Sequence, residues 1–123
     1  MYDKSLIIDI LDDMITASKK VEQRCKKFNN SDGFLETEES QIVLDSICMQ
    51  LIAIGEAVKE IDKITKKELL KKYPQIKWKR VAGIRDVLSH HYFDLNAEIV
   101  FSVCENHIVD LINTLQRIKS DLI

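Results

Sequence analysis

Residues 100–122 read VFSVCENHIVDLINTLQRIKSDL, and the spacing of the apolar side chains in this stretch decides the fold class. Val100, Cys104, Ile108, Leu111, Leu115, Ile118 and Leu122 recur at steps of three and four, which places them on one face of a helix. The helix is expected from about Asn96 to Asp121. The same period returns at the N-terminus, where Ile7, Leu11, Met14, Val21, Cys25 and Phe28 form a stripe between Asp3 and Phe28, with Ser18 at the missing position. A further stripe, Val43, Ile47, Leu51, Ile54, Val58 and Ile61, predicts a helix that begins near Glu36 to Glu39, whose acids suit a helix N-terminus. Gly55 inside it costs about 1 kcal/mol against Ala, and a close helix–helix approach is one compensation.

The remaining segments fit between these helices. Asn29-Asn30-Ser31-Asp32-Gly33 reads as a break favouring turns and left-handed backbone. Lys66 to Lys72 reads as a short basic helix stopped at Tyr73-Pro74, because the residue before Pro avoids helical backbone. Trp78 to Ser89 or His90 reads as one helix with Val81, Ile84 and Leu88 inward. One Pro and three Gly in 123 residues leave little material for the turns that many short strands need. The expectation is a single all-α domain over residues 1–123, an antiparallel four-to-five-helix bundle.

Composition narrows the function classes. There is no basic segment followed by an apolar core at the N-terminus and no uninterrupted apolar run near the ~20 residues that cross a bilayer, so a cytoplasmic protein without a membrane partner is expected. Cys25, Cys48 and Cys104 are odd in number and lack zinc-ligand spacing, and are read as small hydrophobes on apolar stripes. The net charge of −2 argues against a nucleic-acid partner, but its distribution does not. Between Lys59 and Arg85 ten basic residues face three acidic ones, a surplus of seven that leaves nine net negative charges on the rest of the chain. Such asymmetry can focus a positive field that draws in a polyanion; it is equally compatible with a solvated Lys-rich helix that has no partner.

The dense cluster of catalysis-capable side chains is Arg85, Asp86, Ser89, His90, His91 and Tyr92. On one helix Arg85, Ser89 and Tyr92 share a stripe, and Asp86 and His90 are i, i+4 neighbours on an adjacent one. Arginine donates two parallel hydrogen bonds to a phosphate, and histidine transfers protons near neutral pH. Together they suffice in principle to cleave RNA without metal or cofactor, because the substrate's 2′-hydroxyl supplies the nucleophile. Each residue also has a structural reading: Asp86 and His90 as a surface pair, His91 as a helix cap, Tyr92 as a half-buried aromatic, Arg85 as a bridge to a neighbouring acid. Glu56 reads as a structural partner of Arg85 or Arg80, Trp78 as a packed residue at the start of its helix, and His107 as a satisfied core or interface histidine.

The run Arg85-x4-His90-x-Tyr92 resembles the RX4HXY signature of HepT toxins in the HEPN superfamily of helical ribonucleases. Ile54-Gly55-Glu56-Ala57, Tyr73-Pro74-Gln75-Ile76-Lys77-Trp78 and Val81-Ala82-Gly83-Ile84-Arg85-Asp86 resemble further stretches of the same family, in the same order. The resemblance spans Asp3 to Ile118. It implies a HEPN-type bundle and a type VII toxin that cleaves RNA, with Arg85 on the scissile phosphate and His90 in proton transfer. Asp86 takes the polar position after the Arg, often Asn in that family. Tyr92 corresponds to the tyrosine that accepts AMP from an MntA-type nucleotidyltransferase antitoxin, and His91 to the free position. The resemblance further implies a homodimer with one composite cleft. An alternative within it is a non-catalytic module that binds nucleotide or serves as the interaction subunit of a nucleotidyltransferase.

Overall fold

A computed structural model of the chain describes residues 2–90 and 96–123, excluding the side chains of His90 and Asn96. Among the described residues the secondary structure is helical throughout, six α-helices and two short 3₁₀ turns, with no strand. The all-α bundle expected from the apolar period is therefore present.

The first helix, α1, runs Lys4–Cys25 and is started by Asp3, whose carboxylate accepts a hydrogen bond from the Leu6 amide at 3.2 Å. Its stripe of Ile7, Leu11, Met14 and Val21 is buried, and Ser18 is fully buried within it. The expected break follows, but as a 3₁₀ turn over Ser31–Leu35 that buries Phe34, without left-handed backbone. Phe34 packs on Phe28, ring centroids 4.4 Å apart, and edge-on against Phe101.

Helix α2, Glu38–Thr65, opens with a reciprocal cap in which Thr37 and Ser40 exchange backbone-to-side-chain bonds of 3.0 Å. At 28 residues it is about 42 Å long and forms the spine of the molecule. Helix α1 packs both on α2 and on α6, Ile108–Leu122. Ile47, Ile54, Val58 and Ile61 from α2 and Leu115 and Ile118 from α6 close the interior with the α1 stripe. The inward residue near the start of α2 is Leu44, while Val43 is half-buried.

Three expected helices are interrupted. The basic segment after α2 is not a helix over residues 66–72. Lys66 and Lys67 take left-handed backbone, φ 53° and 62°, and a 3₁₀ turn at Leu70–Lys72 follows. That reversal lets Leu69 and Leu70 enter the core, and their burial offsets the conformational cost of two non-glycine residues with positive φ. The motif-bearing helix is divided at Gly83 into α3, Trp78–Ala82, and α4, Ile84–His90. The C-terminal helix is divided at His107 into α5, Asn96–Asn106, and α6. The Leu111 amide still bonds the His107 carbonyl at 3.0 Å and the His107 amide bonds the Val103 carbonyl at 2.9 Å. The apolar stripe therefore continues across this interruption.

Gly55 provides the close approach its position in α2 suggested. A Cβ there would lie 2.6 Å from the Val81 carbonyl oxygen and 3.0 Å from Ile84 Cγ2, at the junction of α3 and α4. The expectation that all three cysteines are free hydrophobes is corrected: Cys25 and Cys104 form a disulfide, and Cys48 alone is free. The two bonded residues are 79 apart in sequence, so their meeting is a product of α1–α5 packing that no local pattern contains.

Candidate active site

Helix α4 is held by one side and offered by the other. Leu88 is buried and Ile84 half-buried against the core, whereas Arg85, Asp86 and Ser89 are exposed. Arg85 and Ser89 share one helical stripe, as their spacing required. The ring of His90 and all of His91 and Tyr92 lie outside the described residues, and so does the expected Asp86–His90 pairing.

The Arg85 guanidinium makes no ion pair among the described residues. The acid expected as its partner, Glu56, is bound within its own helix by Lys59 Nζ at 2.9 Å. That hydrogen bond and the Lys59 charge hold the Glu56 carboxyl below its usual pKa range, and the Arg85 charge adds a smaller contribution. Arg85 is thus near enough to feel an acid, and among the described residues its charge is left available to an anion. Arg80, the other partner considered for Glu56, also makes no ion pair among the described residues.

The basic segment is mostly unspent. Lys59 pairs with Glu56, and Lys71 pairs with Glu68 at 2.7 Å, which lowers the Glu68 carboxyl in the same way. The other eight of its ten cations have no ion-pair partner among the described residues. Lys77, Lys79 and Arg80 stand on or just before α3 and line a cavity of about 750 Å³ behind α4. Its apolar walls include Leu51 and Ile54 of α2, Ile84 and Val87 of α4, and Val103 and Leu111 of α5 and α6. The sequence registered these cations as a charge surplus, but the cavity is walled by five separate helices and has no local signature.

Of the two readings of His107, the core one is corrected. It is exposed at the α5–α6 interruption and borders this cavity, with Asp110, instead of filling the core. Trp78 is buried at the start of α3, where its indole N–H donates to the Tyr73 carbonyl at 2.9 Å. The Tyr73 hydroxyl in turn donates to Asp121 at 2.6 Å, which ties the segment before α3 to the end of α6. Among the described residues no three His, Cys, Asp or Glu side chains gather around a common ion position. The chemistry that the described part of the site offers is therefore cationic: an exposed arginine on a short helix, beside lysines suited to phosphate, most of them without an ion-pair partner among the described residues.

Comparison with known proteins agrees with that chemistry. Residues 7–118 match the family model described as ribonuclease HepT-like. A Methanocaldococcus jannaschii chain named as a candidate RNase is 35% identical over 91 residues, which are 74% of this chain and 69% of that one. A second chain of that organism, named in the same way, is 29% identical over 122 residues, 99% of this chain and 86% of its own length. A Thermococcus cleftensis protein named as probable ribonuclease HepT is 26% identical over 111 residues, covering 90% of this chain and 94% of that one. No solved structure matches.

Proposed function

The chain belongs to the HepT-like ribonuclease family, and on that premise we propose that it is an endoribonuclease toxin whose reaction is carried by Arg85 and His90. The observation that carries this reading is the solvent-facing Arg85 on α4, which, like most cations of its segment, has no ion-pair partner among the described residues.

In the proposed reaction His90 takes the proton of an RNA 2′-hydroxyl, and the resulting oxygen attacks the adjacent phosphorus. The bond to the 5′-oxygen breaks, that oxygen is protonated, and the products are a 2′,3′-cyclic phosphate and a 5′-hydroxyl. Arg85 holds the non-bridging oxygens as negative charge builds, an interaction stronger in the transition state than before it. The substrate supplies the nucleophile, so the step requires no metal. Residues five apart on one helix diverge by about 140°. A homodimer resolves this, because Arg85 of one copy and His90 of another can flank one phosphate.

Tyr92 is proposed as the off switch. Its phenol oxygen attacks the α-phosphorus of ATP held by an MntA-type nucleotidyltransferase, pyrophosphate leaves, and a bulky anion remains two residues from His90. Such a group both obstructs the phosphate site and competes for its positive charge. The cavity behind α4 supports a second reading, a module that binds nucleotide or a partner without cleaving RNA.

The test is cleavage of single-stranded RNA by the purified chain in chelator, with Arg85→Ala and His90→Ala beside it. The ribonuclease reading expects cleavage by the wild type, loss in each variant, and partial recovery when the two inactive variants are mixed and allowed to exchange subunits. No cleavage by unmodified wild type, or equal cleavage by all three, overturns it in favour of the binding module. Incubation with the nucleotidyltransferase and ATP is expected to add whole AMP units, and Tyr92→Phe to abolish the gain.

A further inference from the structure

We infer that the Cys25–Cys104 bond is a redox-operated clamp on α5, and through α5 on the wall of the cavity that backs the candidate site. Cys25 is the last residue of α1, buried at the end of the core stripe, and Cys104 is half-buried near the end of α5. Their Cα atoms are 6.3 Å apart, a separation that a disulfide spans without moving either helix. The bond closes a loop of 79 residues that contains α2, α3 and α4, so it removes much of the freedom of the unfolded chain.

The position of α5 makes the clamp consequential. Val103, directly before Cys104, faces the cavity together with Ile84 and Val87 of α4. Leu88 of α4 and Val100 of α5 are both core residues. A helix fixed at Cys104 therefore presents a fixed wall to α4; a helix released there can shift. The third thiol does not compete. Burial and the neighbouring Asp45 push the Cys48 thiol up to about 11, so little thiolate forms at neutral pH to attack the bridge.

The exchange balances with a dithiol as reductant. One reductant thiolate attacks the more accessible Cys104 sulfur and expels the Cys25 thiolate, which takes a proton. The second reductant thiol resolves the mixed disulfide, leaving two protein thiols and one oxidised reductant. The reverse course, with a small-molecule disulfide as oxidant, closes the clamp. The clamped form is the one with α4 supported and is the competent one. That last step rests on the ribonuclease reading; the clamp itself does not.

The test compares the full chain before and after dithiothreitol, by intact mass, hydrogen exchange of α5 and RNA cleavage. Reduction is expected to add the mass of two hydrogens, to raise α5 exchange about tenfold or more, and to lower cleavage several-fold. Cys25→Ser is expected to match the reduced chain and ignore the reductant; Cys48→Ser is expected to match the wild type in both states. Two free thiols at Cys25 and Cys104 after treatment with oxidised glutathione would overturn the clamp. So would a bridge that dithiothreitol leaves closed in the native chain, or identical α5 exchange in the two forms. Should Cys25→Ser not fold, reduction of the wild type decides alone. Absence of cleavage in both forms, with the exchange difference present, removes the ribonuclease reading and leaves the clamp standing.

Discussion

The frame made by α1, α2 and α6 and the arm made by α3 and α4 are built on opposite terms. In the frame, long helices bury unbroken stripes such as Ile7–Leu11–Met14 and Ile54–Val58–Ile61. In the arm, helices of five and seven residues bury Trp78 and Leu88 and expose Arg80, Arg85 and Asp86. Helices so short are unstable alone, so the arm owes its shape to the frame beneath it. The frame supplies stability, and the arm spends its surface on charge. Substitutions in the two regions should therefore fail in different assays.

The largest loss of stability belongs to the frame. Ile47→Ala, at a fully buried site on α2, is expected to cost about 2–5 kcal/mol in denaturant unfolding. A loss below 1 kcal/mol there would mean that the frame is not the stabilising region. Gly55→Ala tests the joint between the regions. Alanine favours the helix by about 1 kcal/mol, but its Cβ would meet the backbone of Val81 at 2.6 Å, so a net loss of about 1–2 kcal/mol is expected. Cleavage should fall further than that loss explains, because α4 is what moves.

Ser18 runs the other way. Its hydroxyl is buried in the α1 stripe without a hydrogen-bond partner among the described residues, so Ser18→Ala should stabilise the frame by about 1 kcal/mol and leave activity unchanged. A smaller effect links the arm's approach to α6. Burial and the bond to Asp121 push the Tyr73 hydroxyl up to about 12, so the folded chain holds this proton above the ordinary value of 10. The unfolded chain releases the proton first as pH rises, and stability should fall between pH 10 and about 12. In Tyr73→Phe that part of the alkaline slope should vanish; an unchanged slope would sever the link.

The same division explains what the sequence disclosed. The stripes of α1, α2 and α6 are local and periodic, and they were legible to within a few residues. So was the demand of Gly55 for a close neighbour, because a glycine inside an apolar stripe has few other uses. The interruptions at Lys66–Lys67 and Gly83 were not legible, since each serves contacts with distant parts of the chain: Leu69 and Leu70 entering the core, and α3 and α4 bending over Gly55. Nor was the one at His107, across which the apolar stripe continues. The Cys25–Cys104 bond spans 79 residues and left no trace in spacing. Arg85 was legible as a candidate from its chemistry and its motif, and its freedom from Glu56 only from the structure. The cavity beside Lys77, Lys79 and Arg80 was not legible at all, because its walls come from five helices.

The central claim is that Arg85 serves chemistry and not the fold. RNA cleavage and thermal unfolding measured on the same preparation of Arg85→Ala test it most directly. The expected result is a cleavage rate lower by about 100-fold or more, with a melting midpoint equal to that of the wild type. Undiminished cleavage, or a midpoint that falls as far as that of Ile47→Ala, would contradict it.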